Sequence, residues 1–323
     1  MTSPTADLGA RQEILTSRSP RQLAWRRFKK NKVGLVALAT SLFFIFAAAF
    51  APLIAMLINV DPNERDGSAI TERGETIGRF GGISWDHPLG VEPGIGYDLL
   101  ARLMYGARTS FLVAGITTFT TVFIGLMIGV LAGYYRGRVD SVLGRFTDFL
   151  LAFPSFFMII ALSAPMIARI EKSGIARDNA ARVIYLILIL AIFGWPYFSR
   201  IMRSQVLSLR ERDFILASRA LGASQGRIIF KELLPNLWTP VIVYTSLALP
   251  GFLAAEAVFS YLGIGVQPPS ATWGLLISDS IKYVINEPTY FLIPSLSLIL
   301  VVLSFNLLGD AIRDALDPKS DNH

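Results

Sequence analysis

Residues Phe214–Asn236 read FILASRALGASQGRIIFKELLPN. The stretch lies between two long apolar segments, yet Arg219, Arg227, Lys231 and Glu232 make it too polar to cross a bilayer. Helix formers flank a small-residue break at Gly222-Ala223-Ser224, and Pro235 is expected to end the element. A helix–break–helix held on one membrane face suits pushing against a partner better than it suits chemistry.

The rest of the chain supplies the membrane. Of 323 residues 53% are hydrophobic and 17% charged, with mean hydropathy +0.51, against about 25% charged in a soluble domain. The fold class this implies is an all-α polytopic membrane protein. Six segments are long enough to span: Val33–Ile58, Ser110–Tyr135, Phe149–Ala168, Val183–Ser199, Leu237–Gly265 and Thr289–Gly309. Pro154, Pro165, Pro196 and Pro294 fall in these spans and are expected to kink them.

Lysine and arginine set the orientation. With the N-terminus inside, residues 1–32 hold eight of them, 136–145 three, 200–231 seven and 313–319 two. The other side holds five in 59–108, four in 169–182 and one at Lys282. Twenty against ten follows the positive-inside rule. The first apolar core, at 26 residues, exceeds the roughly 7–15 of a signal peptide and reads as an uncleaved anchor. Residues 1–20 are expected to be disordered. The following Trp25-Arg26-Arg27-Phe28-Lys29-Lys30-Asn31-Lys32 suits a helix on an anionic leaflet, and equally a topogenic basic flank.

Several residues stand out in the spans and loops. Gly125, Gly129 and Gly133 recur every four residues and bare one helix face for close approach, within the chain or to another permease chain. Glu256 is the one acid deep in an apolar segment. It is either hydrogen-bonded to a neighbouring helix or placed on a substrate path. The 59–108 loop carries eight acids and five bases and packs on the helices or on a partner. Chemistry is sparse. There are no cysteines, and His87 and His323 are the only histidines. No P-loop, G-x-S-x-G or H-E-x-x-H occurs, so no cofactor site, metal site or catalytic centre is expected. The net charge of +6 is expected to reflect basic loops facing the cytoplasm and not nucleic-acid binding.

Ala217-Ser218, Gly222, Leu234 and Pro235 resemble the "EAA" signature of permease subunits in bacterial binding-protein-dependent ABC importers. Leu216 stands where that signature has Glu, and Glu232 where it has Ile. Further stretches resemble the "C"-type permease of the peptide (dipeptide/oligopeptide/nickel) branch. They are His87-Pro88-Leu89-Gly90, Asp98–Ser110, Tyr261–Pro269 followed by Trp273-Gly274, and Asn306–Pro318. The resemblance covers about residues 22–318. Tyr97 departs from it, replacing an Arg, and the 165–182 connection looks longer and more charged than usual.

The resemblance implies a type I importer permease with six transmembrane helices and a cytoplasmic coupling helix. Its parts would be a basic N-terminal tail (1–32), a permease domain (33–310) with external loop 59–108 and coupling loop 200–236, and a C-terminal tail (311–323). Leu216, Ala217, Ser218, Arg219, Ala220, Gly222, Ala223 and Pro235 would form the ATPase-coupling loop. Its apolar backing is expected from Ile228, Ile229, Phe230, Leu233 and Leu234, with Arg219 and Arg227 reaching the partner. Implied partners are a second, "B"-type permease, two cytoplasmic ATPases that carry ATP-Mg, and an external solute-binding protein. The setting would be the bacterial cytoplasmic membrane, with both termini inside. Di- or oligopeptides are the implied cargo, with nickel chelates or haem as alternatives. An ion-driven secondary transporter using Glu256, or a non-transporting scaffold, are the rival classes.

Overall fold

The computed structural model describes residues 20–78 and 80–316. The expected disorder of residues 1–19 and the tail at 317–323 lie outside the described residues. The helices run in the order α1 (Pro20–Lys30), α2 (Lys32–Ala49), α3 (Ala51–Leu57), α4 (Leu99–Tyr135), α5 (Gly137–Ala152), α6 (Ser155–Lys172) and α7 (Asp178–Leu209). Then follow α8 (Asp213–Ala220), α9 (Gln225–Arg227), a π-turn (Ile228–Leu233), α10 (Leu234–Asn236), α11 (Trp238–Tyr261), α12 (Trp273–Ser280) and α13 (Pro288–Leu316). No strand occurs among the described residues. Five helices are long and apolar enough to cross a membrane, or six if α5 and α6 count as one bent span.

The bounds differ from the expected ones for local reasons. Asp98 caps α4 by accepting the Ala101 N–H at 2.7 Å, so residues 99–108 are helix and not loop. At 1.5 Å per residue α4 is about 55 Å long and α7 about 48 Å, against a hydrocarbon core of about 30 Å. Both therefore project beyond it. The third span, expected as Phe149–Ala168, is broken: α5 and α6 meet at an angle of 83°. Pro154 lies at that break, where it lacks an N–H and pushes Phe153 out of helical geometry (φ −77°, ψ 137°). Pro165, Pro196, Pro250 and Pro294 stay inside helices. The long 165–182 connection is mostly helical extension, with α6 reaching Lys172 and α7 starting at Asp178.

The glycine stripe sets the central helix pair. A Cβ on Gly125 would stand 2.9 Å from Phe198 Cδ1; on Gly129, 2.6 Å from Met202 Cβ; on Gly133, 2.8 Å from Val206 Cβ. All three faces meet α7 of the same chain, and Phe198, Met202 and Val206 are fully buried there. α11 and α13 complete the bundle against α4 and α2, around Leu253, Trp273 and Val301. Trp273 is the plug of its motif. Its Nε1 donates to Leu103 O at 3.0 Å, and its ring meets Phe44 and Phe111 edge-on. Gly274 lets that turn lie against the Ala257 backbone.

The 58–98 loop and the Asp213–Asn236 element occupy opposite ends of α4. The first leads into Leu99, and the second packs on Val130 and Tyr134.

Candidate functional site

The Asp213–Asn236 element is built as a stiff projection on the end of α4 and α7. α8 closes in a Schellman motif: the Ala223 N–H reaches Ser218 O at 3.0 Å and the Gly222 N–H reaches Arg219 O at 2.9 Å. Gly222 stands at φ +80°, a conformation that costs glycine nothing. Ser224 then caps α9 through the Arg227 N–H. In the π-turn the Leu234 N–H bonds back five residues to Ile229 O. Pro235 does not end the element. It stands in the first turn of α10, where its missing N–H leaves no bond unmade, and the chain runs on through Leu237 into α11.

Burial divides the element into a root and a crest. Ile215, Ile228, Leu233 and Leu237 are buried with Val130, Tyr134 and Val206, and Ala223 and Leu234 pack beside them. Phe214, Leu216, Ala217, Ala220, Leu221 and Gly222 are exposed, Leu221 to 89%. No atom lies within 4 Å of a Cβ built on Gly222. Ser218 is half-buried. Phe230, expected on the root, is exposed, because the π-turn rotates it away from Ile229 and Leu233. Arg219 lies over the Tyr134 ring at 5.7 Å, while Arg227 is exposed.

The element is tied to the bundle by arginines that the sequence did not single out. Arg210 donates to Tyr134 O at 2.7 Å. Nine turns of helix feed it from α7, whose Arg203 grips Asp140 of α5 through two bonds of 2.5 and 2.7 Å. Arg200 pairs with Asp148 of α5 at 2.5 Å. These bonds join α7, from which the element extends, to α4 and α5.

At the opposite end, the 58–98 loop is pinned by buried charge. Arg102 and Glu92 pair at 2.9 Å, each almost wholly buried. Arg102 also donates to Pro269 O and stacks over Tyr97 at 4.9 Å. Burial pushes the Glu92 carboxyl above its usual range, although Arg102 opposes this. His87 bridges Asp98 (2.9 Å) and Asp66 (3.1 Å), joining the loop to the cap of α4. Asn179, at the start of α7, holds both backbone groups of Gln267 at 2.8 Å. Glu256 is fully buried. Its Oε1 accepts from Ser260 at 2.6 Å, and the hydroxyls of Ser110 and Thr272 lie beside it.

Residues 125–322 match the family model described as the inner membrane component of binding-protein-dependent transport systems. The chain is 36% identical over 308 residues to a dipeptide transport system permease protein, DppC, of Alkalihalophilus pseudofirmus, covering 95% of this chain and 93% of that one. The chain belongs to this permease family. Residues 19–71 of the permease also match the N-terminal TM domain of oligopeptide transport permease C. It is 34% identical to an oligopeptide permease protein, OppC, of Mycobacterium tuberculosis, covering 94% of this chain and 96% of that one. It is likewise 34% identical to a glutathione transport permease, GsiD, of Pectobacterium atrosepticum, with 94% and 92% covered. An inward-facing structure of the MetNI methionine ABC transporter superposes with TM-score 0.53 at 19% identity, over 67% of this permease and 96% of that chain. The permease thus has the type I ABC importer fold and is a multi-pass inner-membrane protein.

Proposed function

We propose that this permease forms half of the translocation pore of an ATP-driven importer of di- or oligopeptides, with Phe214–Ala223 as the coupling surface. The observation that carries this is the division of the element into a buried root and an exposed apolar crest on the ends of α4 and α7. An exposed apolar crest on a stiff base is a docking surface, because leaving Leu216, Ala220 and Leu221 in water has no structural benefit to offset it. Two cytoplasmic ATPase subunits would receive the crest, one on each permease of a heterodimer, and supply ATP-Mg chemistry that this chain does not perform. An external binding protein would deliver cargo to the face carrying residues 58–98. The basic excess on the crest side supports a cytoplasmic position for both termini. Peptide as cargo rests on the dipeptide and oligopeptide relatives.

The test is labelled-peptide uptake into proteoliposomes that hold the two permeases and two ATPases. Binding protein is outside, ATP is inside and ion gradients are collapsed. Uptake that follows ATP is the expected result. No uptake under these conditions, with uptake restored by an imposed ion gradient in the absence of ATP, would overturn the coupling role. ATP hydrolysis stimulated by binding protein without peptide uptake would leave the machine and change its cargo.

A further inference from the structure

An apolar groove of about 400 Å³ lies at the crest end of the bundle, lined by Trp25 and Phe28 of α1, Leu38 of α2, Ile242 of α11, and Leu308 and Ile312 of α13. Its walls are fixed. Asn31 caps α2 through the Gly34 N–H at 2.9 Å, and a Cβ on Gly34 would stand 2.6 Å from Ala311 Cβ. Phe28 is buried against Ala311 and Ala315. α1 is therefore held across the end of α13 and does not trail from it.

The rim carries one sign of charge. Lys29 Nζ lies 5.1 Å from the centroid of the Trp25 ring, which itself stacks on Phe28 at 5.9 Å. A cation thus stands at the mouth, over the lining ring that is 54% exposed. Lys30, one position on, projects from the face of α1 opposite Trp25 and Phe28. No acid occurs between Glu13 and Asp61. On α13 the lining residues Leu308, Ile312 and Ala315 follow one helical face, so Asp310 and Asp314 project from the opposite one. Among the described residues, neither Lys29 nor Lys30 is paired with a carboxylate of the chain.

We propose that this groove is a binding site for one anionic phospholipid, with an acyl chain on its apolar floor and the headgroup phosphate at Lys29. An apolar channel at the end of the spans, with a cation at its mouth and no acid facing it among the described residues, is complementary to a long apolar tail joined to an anion. A zwitterionic lipid fills the floor equally well but brings a cation to the rim. The site is independent of which solute is carried and of the coupling role of Phe214–Ala223.

The full-length chain in neutral detergent is titrated with phosphatidylglycerol, and separately with phosphatidylcholine, and bound lipid is counted by native mass spectrometry. One saturable phosphatidylglycerol is expected, held more tightly than phosphatidylcholine. Replacing Lys29→Gln weakens it roughly fivefold. Ile312→Trp, which fills the floor and leaves Lys29, also removes it. Gel filtration of each variant confirms that it remains folded. Each of three lipid-binding results, besides self-association of the chain, overturns the proposal: equal, unsaturating uptake of both lipids; phosphatidylglycerol binding untouched by both variants; or displacement of the lipid by millimolar inorganic phosphate with Ile312→Trp still binding. The last would assign the cation to a free anion. Self-association of the chain with lipid excluded would give the groove to a second copy and overturn the lipid assignment as well.

Discussion

Arg102 and Glu92 show how much of the loop's order rests on single residues. A buried pair stripped of one partner leaves an uncompensated charge, at a cost of about 3–5 kcal/mol. Glu92→Leu is expected to lower the stability of the purified permease by about that amount in denaturant titrations. It should also open residues 58–98 to protease. Glu92→Leu with Arg102→Met, which removes both charges, should recover most of the loss. Neither partner was legible beforehand. Ten residues apart across a glycine-rich turn, they look like two solvated charges among thirteen in the 59–108 stretch. Only the approach of Pro269 and Tyr97 buries them.

His87 adds a pH dependence whose sign follows from its neighbours. Burial works against the imidazolium, but the carboxylates of Asp98 and Asp66 outweigh it and raise its pKa above 6.5. The clamp therefore contributes fully below about pH 6.5 and is lost as pH climbs through the raised value. Asp66 is held down to about 2, chiefly by the Ser68 hydroxyl and next by His87. Its contribution is present above about pH 4 and fades as pH falls toward 2. Amide protection factors across residues 58–98, taken relative to the intrinsic exchange rate at each pH, are expected to be highest between these limits and to fall on the alkaline side. His87→Gln should flatten the alkaline change. An unaltered profile in that variant would remove His87 from the clamp.

Among the elements, α4 and α7 carry the fold, and their glycines are the reason they meet so closely. Gly129→Ala puts a methyl against Met202 and the Ser199 carbonyl, where overpacking costs about 1–3 kcal/mol. Gly115 lies on the same helix with nothing within 4 Å of its Cβ. There Ala should be neutral or stabilising by about 0.5–1 kcal/mol. Unfolding of the two variants, side by side, tests this, and equal effects would mean the stripe has no special role. The four-residue spacing of Gly125, Gly129 and Gly133 made the face visible in the sequence. It could not say which helix would cover it, since Phe198, Met202 and Val206 look like any apolar span.

The sequence-based element bounds erred in two characteristic ways. Apolar windows stop where charge begins, so they missed the polar ends of α4, α6 and α7, whose backbone hydrogen bonding continues past the apolar run. They also cannot see an angle. The 83° bend at Phe153–Pro154 was read as a kink within one span. In the coupling element, Gly222 and the small residues around it signalled a break, and the break is there. The π-turn was invisible, because its register depends on how Ile228, Ile229 and Leu233 fill the space beside Val206. That register is why Phe230 faces outward.

For the whole molecule, the architecture is a bundle with a clamped loop at one end of α4 and a rooted crest at the other. Motif spelling carried the family, because Trp273-Gly274 and the Tyr261–Pro269 turn are packing solutions that few sequences satisfy. The partners were never in this chain, and neither was the cargo. The central claim is that the crest meets an ATPase and passes its motion to α4, α5 and α7. The chain has no cysteine, so Leu221→Cys gives a unique thiol at the tip of the crest. The deciding measurement is cross-linking from that thiol, carrying a photoreactive maleimide, in the assembled transporter. Val36→Cys, on an exposed face of α2, serves as the control. The ATPase subunit is expected as the product from Leu221→Cys alone, with a yield that changes when ATP is added. A complex that transports normally yet yields no ATPase adduct from Leu221→Cys would contradict the account.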